Sequence, residues 1–188
     1  MKQIFLTFLL LAALSAASQI QDGYYIKPDG DTVHCKIKVF QDAYCRSNYS
    51  FLSKKVKIIE NGVQKKYTPA EIKLFYFINA EGKPMKFVAL PENKVTFFEE
   101  IIHGRLSLYY MHTMHSYDYS LSEIPVLYKD GKIEVFGFGS HRRVIGDIIT
   151  DCPEIHNEWM VTKKYDRATD IELLVRDYNS CFEKNDQN

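Results

Sequence analysis

Polar and apolar residues alternate without a break over residues 32–39. Val33, Cys35, Ile37 and Val39 share one face of an extended chain, and Thr32, His34, Lys36 and Lys38 share the other. The pattern predicts a half-buried β-strand with the Cys35 side chain on its core face. A strand over residues 24–27 precedes it, joined by Pro28-Asp29-Gly30-Asp31, where Pro and Gly take their usual turn positions. After an irregular stretch holding Cys45, residues 55–60 and 63–68 flank Asn61-Gly62, a strong hairpin signal. Thr68-Pro69-Ala70-Glu71 has capping-box spacing with Pro at the first helical position, which predicts one short helical turn before a strand at residues 74–78. Glu81-Gly82-Lys83-Pro84 turns the chain into a strand at residues 85–90. Over residues 95–102, Phe97, Phe98, Ile101 and Ile102 also fit a helical period, but β-branched and aromatic residues favour a strand. His103-Gly104 then turns into a strand at residues 105–112, and residues 124–129 and 132–138 form a last hairpin around Asp130-Gly131.

From there the period changes from two to 3.6. Val144, Ile145, Ile148 and Ile149 recur at helical spacing, and the segment ends near Asp151, whose side chain suits the N-cap of a second helix from Pro153. That helix carries Ile155 and Trp159 on one face. Thr169-Asp170-Ile171-Glu172 is a second capping box, followed by the amphipathic stripe Ile171, Leu174, Val175 and Tyr178. The polar end of the chain should fray. The expected fold class is α+β: an antiparallel β-sheet sandwich or open barrel over residues 19–139, followed by a C-terminal helical hairpin, residues 140–188, packed on it.

The first 18 residues predict a different fate. Lys2 supplies a positive charge, residues 4–14 an almost unbroken apolar run, and Ser15-Ala16-Ala17-Ser18 the small residues of a cleavage site. The run is shorter than the roughly 18–20 apolar residues that span a bilayer, and no later run reaches that length. The segment therefore reads as a cleaved signal peptide, and the mature chain as an exported one without a transmembrane span, in the periplasm or outside the cell.

Export changes the reading of the four cysteines, Cys35, Cys45, Cys152 and Cys181. An even count in an oxidising compartment predicts two disulfides, with three possible connectivities. Cys152 opens one predicted helix and Cys181 closes the other. The short polar segment at residues 163–168 folds the helices back antiparallel, bringing the two cysteines within disulfide reach. Cys35 and Cys45 are left for each other.

Charge removes one function class. The 188 residues hold 24 Lys+Arg and 24 Asp+Glu, and loss of Lys2 with the signal peptide leaves 23 basic against 24 acidic. No basic surplus marks a nucleic-acid binder. Candidate chemistry is sparse. His103, His112 and His115 fall near one end of the strands around residues 105–111, and imidazole is a good zinc, nickel or copper ligand. A metal-dependent hydrolase built on them is the alternative function, although the His-Glu-x-x-His spacing of a helical zinc site is absent. The competing reading makes them half-exposed loop residues, so that replacing His112 and His115 together with Ala leaves stability within about 0.5 kcal/mol. Glu99 and Glu100 are adjacent, so on a strand they point to opposite faces and form no acid–base pair. No nucleophile elbow or phosphate loop is present, and no cofactor is implied. The aromatic surplus is the remaining signal, with 13 Tyr and 12 Phe against one Trp. Tyr110, Tyr117 and Tyr119 crowd one loop, where a ring with a polar tip suits contact with a glycan, a peptide or another envelope protein.

Four groups of residues carry a resemblance. They are Gly23-Tyr24-Tyr25-Ile26 with Asp29-Gly30-Asp31-Thr32; Lys66-Tyr67-Thr68-Pro69 with Glu71-Ile72; Phe97-Phe98-Glu99-Glu100-Ile101-Ile102-His103-Gly104 before Leu106-Ser107-Leu108-Tyr109-Tyr110; and Asp151-Cys152-Pro153-Glu154 with Asp170-Ile171-Glu172 and Asp177-Tyr178-Asn179. In these the chain resembles a group of uncharacterised exported proteins of Bacteroidetes bacteria. The resemblance implies export, a β-rich body and a short helical tail, and brings no catalytic residues with it. The expected function is a non-enzymatic binding or interaction module of the envelope. Cleavage is directly checkable: intact-mass measurement on exported protein should give Gln19, or Ser18 as second choice, as the first residue.

Overall fold

The computed structural model describes residues 19–41, 47–136, 141–162, 164–165 and 170–183. The predicted signal peptide, Cys45, Thr169 and the polar end of the chain lie outside them. Ten strands are present among the described residues: β1 Gln19–Ile26, β2 Thr32–Val39, β3 Val56–Glu60, β4 Val63–Tyr67, β5 Leu74–Ile78, β6 Pro84–Leu90, β7 Asn93–Ile102, β8 Ser107–Met114, β9 Leu121–Lys129 and β10 Lys132–Val135. Three helices follow: α1 Arg142–Ile148, α2 Pro153–Asn157, which runs into a π-helical turn at Glu158–Thr162, and α3 Ile171–Glu183. The class is α+β, as the periodicity predicts. The strands follow one order, β10-β9-β8-β7-β6-β5-β1-β2-β3-β4, so they belong to one sheet and the two-sheet alternative is not adopted.

The short turns behave as their residues dictate. Asn61 and Gly62, and Asp130 and Gly131, all have positive φ, at 51°, 78°, 51° and 77°. These are the backbone values of two-residue turns whose twist matches the strands they join. Half of the capping box at Thr68 forms: Glu71 Oε2 accepts from both the Thr68 amide and its hydroxyl at 2.7 Å, while the Glu71 amide donates to the Thr68 carbonyl at 3.0 Å. It closes a turn and not a helix, because the chain is already committed to β5 three residues later. Gly23 pairs with Phe77 across β1 and β5, and a β-carbon there would run into the carbonyl of Tyr76. Only glycine allows the two backbones to approach so closely.

The chain forms two compact units, one comprising residues up to Glu99 with His112–Ser122, the other Glu100–Met111 with the chain from Glu123 onward. The core of the first is aromatic. Phe75 and Phe87 are directly opposed on β5 and β6 and stack at 4.9 Å, and Phe97 meets Phe75 edge-on at 5.0 Å. Ile37, Val56, Ile58 and Met85 complete it, all fully buried. Cys35 lies at its margin as a free, half-buried thiol, which burial pushes up to about 11. Its expected partner Cys45 lies outside the described residues.

In the second unit, Leu106 of the β7–β8 connection and strand residues Leu108 and Leu127 pack with Ile145 and Ile149, with Ile155 and Trp159, and with the predicted stripe Ile171, Leu174, Val175 and Tyr178. The helices thus cover strands, as the apolar faces require. Cys152 and Cys181 are bonded, with their Cα atoms 6.6 Å apart. The Asn179 amide spans the β7–β8 connection, accepting from the Leu106 amide and donating to the Leu106 carbonyl, both at 2.9 Å. Asp151 is not the helix cap that its position suggests. The N-cap of α2 is Cys152, without a side-chain cap bond. Asp151 instead accepts from Lys129 Nζ at 2.8 Å, Arg105 Nη2 at 3.1 Å and the Tyr178 hydroxyl at 2.8 Å. Burial works against its ionised form, but these donors prevail and hold its carboxyl below the usual range. Charged donors outbid a neutral cap amide. Lys129 also donates to the Ile148 carbonyl at 2.8 Å, at the end of α1.

No helix among the described residues is long and apolar enough to cross a membrane. The Cys152–Cys181 bond closes a loop with a sequence separation of 29. Replacing both cysteines with Ser should lower the unfolding free energy by about 3–4 kcal/mol in the chain-entropy description. Urea titration under oxidising conditions measures the difference.

Candidate interaction surface

The aromatic loop expected from the sequence is the tip of the β8–β9 hairpin, between Met114 and Leu121. Its backbone closes on itself. The His115 amide donates to the Ser120 carbonyl at 2.9 Å, and the Tyr119 amide to the His115 carbonyl at 3.0 Å. Asp118 Oδ1 accepts from the Ser120 amide at 3.0 Å and its hydroxyl at 2.8 Å, which keeps the exposed carboxyl below its ordinary range. Tyr119 sits at φ +56°, a conformation that a bulky residue rarely takes. With the backbone so occupied, the side chains point away: Tyr117 is 98% exposed and Tyr119 71%. Met114 and Leu121 flank them, also exposed. Tyr110 is not part of this tip. It is half-buried in the other unit and donates to Glu172 Oε1 at 3.2 Å.

The root of the hairpin is buried and charged. His112 Nε2 lies 2.6 Å from Glu99 Oε2, with the two side chains 7% and 4% exposed. Lys83 Nζ reaches Glu99 Oε1 at 3.2 Å from an exposed position. Burial alone would push the Glu99 carboxyl up. The His112 bond and charge, with Lys83, outweigh it and hold the group below its usual range. An ionised carboxylate only accepts, so His112 Nε2 carries the shared proton. Around the imidazole stand the Tyr49 ring, edge-on at 5.5 Å, and the Phe87 ring at 5.7 Å. Ser53 Oγ donates to the His112 carbonyl at 2.8 Å. Asn48 Nδ2 donates to Met114 Sδ at 3.7 Å. Asn79 holds the neighbouring turn in place, accepting from the Lys83 amide at 2.9 Å and donating to the Tyr49 hydroxyl at 3.1 Å.

The three histidines of the metal alternative are not gathered. His112 is buried against Glu99. His103 is exposed, 3.5 Å from Glu100 Oε2, and His115 is exposed, 3.0 Å from the Ser122 hydroxyl. Among the described residues, no group of three or more His, Cys, Asp or Glu side chains is placed to hold a metal ion. Nor is His112 the half-exposed loop residue that the sequence suggests. It lies within β8, and its removal would leave the Glu99 charge buried.

Glu99 escapes the sequence reading because its immediate neighbour, Glu100, draws the comparison. The relevant partner is 13 residues away on the next strand. The observed connection runs from Ile102 to Ser107, and β8 continues through His112 to Met114, so the imidazole lies inside the strand and meets Glu99. Comparison of the chain with family models, with curated proteins and with solved structures finds no match.

The pair makes an acid-sensitive root. Because the folded-state Glu99 carboxyl titrates below its unfolded value of about 4.3, its contribution is present above that pH and is lost as pH falls through the folded value. Glu99→Gln should therefore lower stability at pH 7 by about 2–3 kcal/mol, the range for a hydrogen bond to a charged group. It should also flatten the acid limb of the melting-temperature profile below about pH 4.3. Thermal melts of both proteins between pH 3 and 7 check the sign.

Proposed function

We propose that the protein is an exported, non-enzymatic module of the cell envelope that contacts a glycan, peptide or protein component through the β8–β9 hairpin tip. The observation that carries this reading is the outward display of Tyr117 and Tyr119, 98% and 71% exposed, on a loop closed by its own hydrogen bonds between His115 and Ser120 and between Tyr119 and His115. Preorganised tyrosines bring large contact area with little entropy to lose, and their hydroxyls find partners at a polar edge. Met114 and Leu121 extend the same surface with apolar area. A rigid root, buried at Glu99 and His112, keeps such a tip in one conformation.

Export is supported by the apolar leader with its small-residue cleavage site, by the resemblance to exported Bacteroidetes proteins, and by the Cys152–Cys181 bond, which persists in an oxidising compartment. The nearly balanced charge argues against nucleic acid as the partner.

The test pairs wild type with Tyr117→Ser/Tyr119→Ser. Isolated peptidoglycan sacculi, lipopolysaccharide and envelope protein extract serve as probes, with bound fraction measured by co-sedimentation or surface plasmon resonance. The double variant should lose at least about tenfold in affinity for whichever probe binds, each tyrosine anchor contributing on the scale of an interface hot spot. Its melting temperature should stay within a degree or two, since exposed side chains contribute little to stability. Equal binding by both proteins would place the contact elsewhere.

A further inference from the structure

A second surface, in strands β2 to β4 and the turn before them, has features that stability of the fold does not explain. Lys38 on β2 lies directly opposite Lys57 on β3, and Lys57 directly opposite Lys66 on β4. Like charges in direct cross-strand register destabilise a sheet, and neighbouring lysines avoid the problem with acids. Lys36 has Asp22 at 3.9 Å, and Lys65 has Glu60 at 2.7 Å. The side chains of Lys38, Lys57 and Lys66, with that of Lys55 beside them, make no ion pair or hydrogen bond among the described residues. The same four lysines rim a groove of about 270 Å³ whose apolar wall is Phe40, Phe51 and the buried Leu52. Phe40 and Phe51 stand side by side with ring centroids 4.5 Å apart, yet are 47% and 44% exposed. Neither ring has a polar tip to account for its place in water.

We propose that this groove binds a small amphiphilic phosphate, with the lysine row holding the oxyanion and the two phenylalanines holding an apolar chain or ring. Directly opposed residues have Cβ atoms about 4.5–5.5 Å apart, so the flexible stems of three adjacent lysines are long enough for their ammoniums to reach one tetrahedral anion above Lys57. The volume sets the size of the ligand. A groove of about 270 Å³ suits one short chain or ring, since it lies below the roughly 300–1,000 Å³ of pockets for drug-sized ligands. Bound phosphate would also relieve the repulsion among the lysines. The surface is distinct from the hairpin tip and does not depend on the reading given to that tip.

Isothermal titration of the mature chain uses octyl phosphate below its micelle concentration, with inorganic phosphate, octanol and phosphatidate vesicles as comparison probes. Octyl phosphate should bind saturably at one site, more tightly than either inorganic phosphate or octanol, and more weakly at high salt as exposed ammoniums are screened. Lys57→Gln/Lys66→Gln should weaken it at least about tenfold, a loss of about 1.4 kcal/mol in binding. The free variant should melt no lower than wild type, because the substitution removes like-charge contacts. Phe51→Ser should abolish the preference for octyl phosphate over inorganic phosphate. Unchanged affinity in the lysine variant, equal binding of octyl phosphate and inorganic phosphate, or binding to vesicles alone would each overturn the proposal.

Discussion

A carboxylate withdrawn from water must be met by donors, and each unit of this protein is organised around one such group. Glu99, almost fully buried, is accepted into the first unit because His112 presents an N–H at 2.6 Å and Lys83 reaches in from solvent. Asp151, only partly shielded, gathers Lys129, Arg105 and Tyr178 in the second. In both places the outcome is a carboxyl held below its usual range against the opposing effect of burial. Removing the donors of Glu99 would strand a buried charge, which is far more damaging than never having placed one there; Asp151, a third exposed, would turn to water instead.

What surrounds these charges differs between the units. The first relies on aromatic area: Phe87 and Phe97 both pack on Phe75, all three fully buried, and the Phe87 ring also packs against the His112 imidazole. The low-dielectric setting strengthens the Glu99–His112 attraction and makes its integrity matter more. The second unit relies on helices that cover strands and on a covalent bond between the start of α2 and the last turns of α3. There the Tyr178 ring packs into the core while its hydroxyl reaches Asp151, so one side chain serves both the apolar core and the charged cluster.

The two surfaces proposed for binding share a physical character. Each exposes groups that the fold would be as stable or more stable without: tyrosines standing in water at the hairpin tip, and lysines facing one another with no acid between them. These exposed side chains distinguish the two places from the ordinary mixed-charge surface, where Lys36 lies beside Asp22 and Lys65 beside Glu60.

Features governed by short-range chemistry were legible in the amino-acid sequence by itself. Asn61-Gly62 and Asp130-Gly131 demand positive φ and therefore mark hairpins; the alternation over residues 32–39 marks a strand; the stripe from Ile171 to Tyr178 marks a helix with one apolar face. The Cys152–Cys181 bond was also within reach, since two helices joined by a short segment leave their distal ends adjacent. Tertiary structure alone decided which residues meet across strands. β8 runs on to Met114, which places His112 inside the strand as the buried partner of Glu99 and not in a loop. Asp151 likewise has the spacing of a cap, yet its partners are a lysine 22 residues away, an arginine 46 away and a tyrosine 27 away. The lysine row is visible only once β2, β3 and β4 are in register. Periodicity reports the face on which a side chain lies, whereas register is set by loop length and by the competition among all strands for a common core, and no local window contains that information.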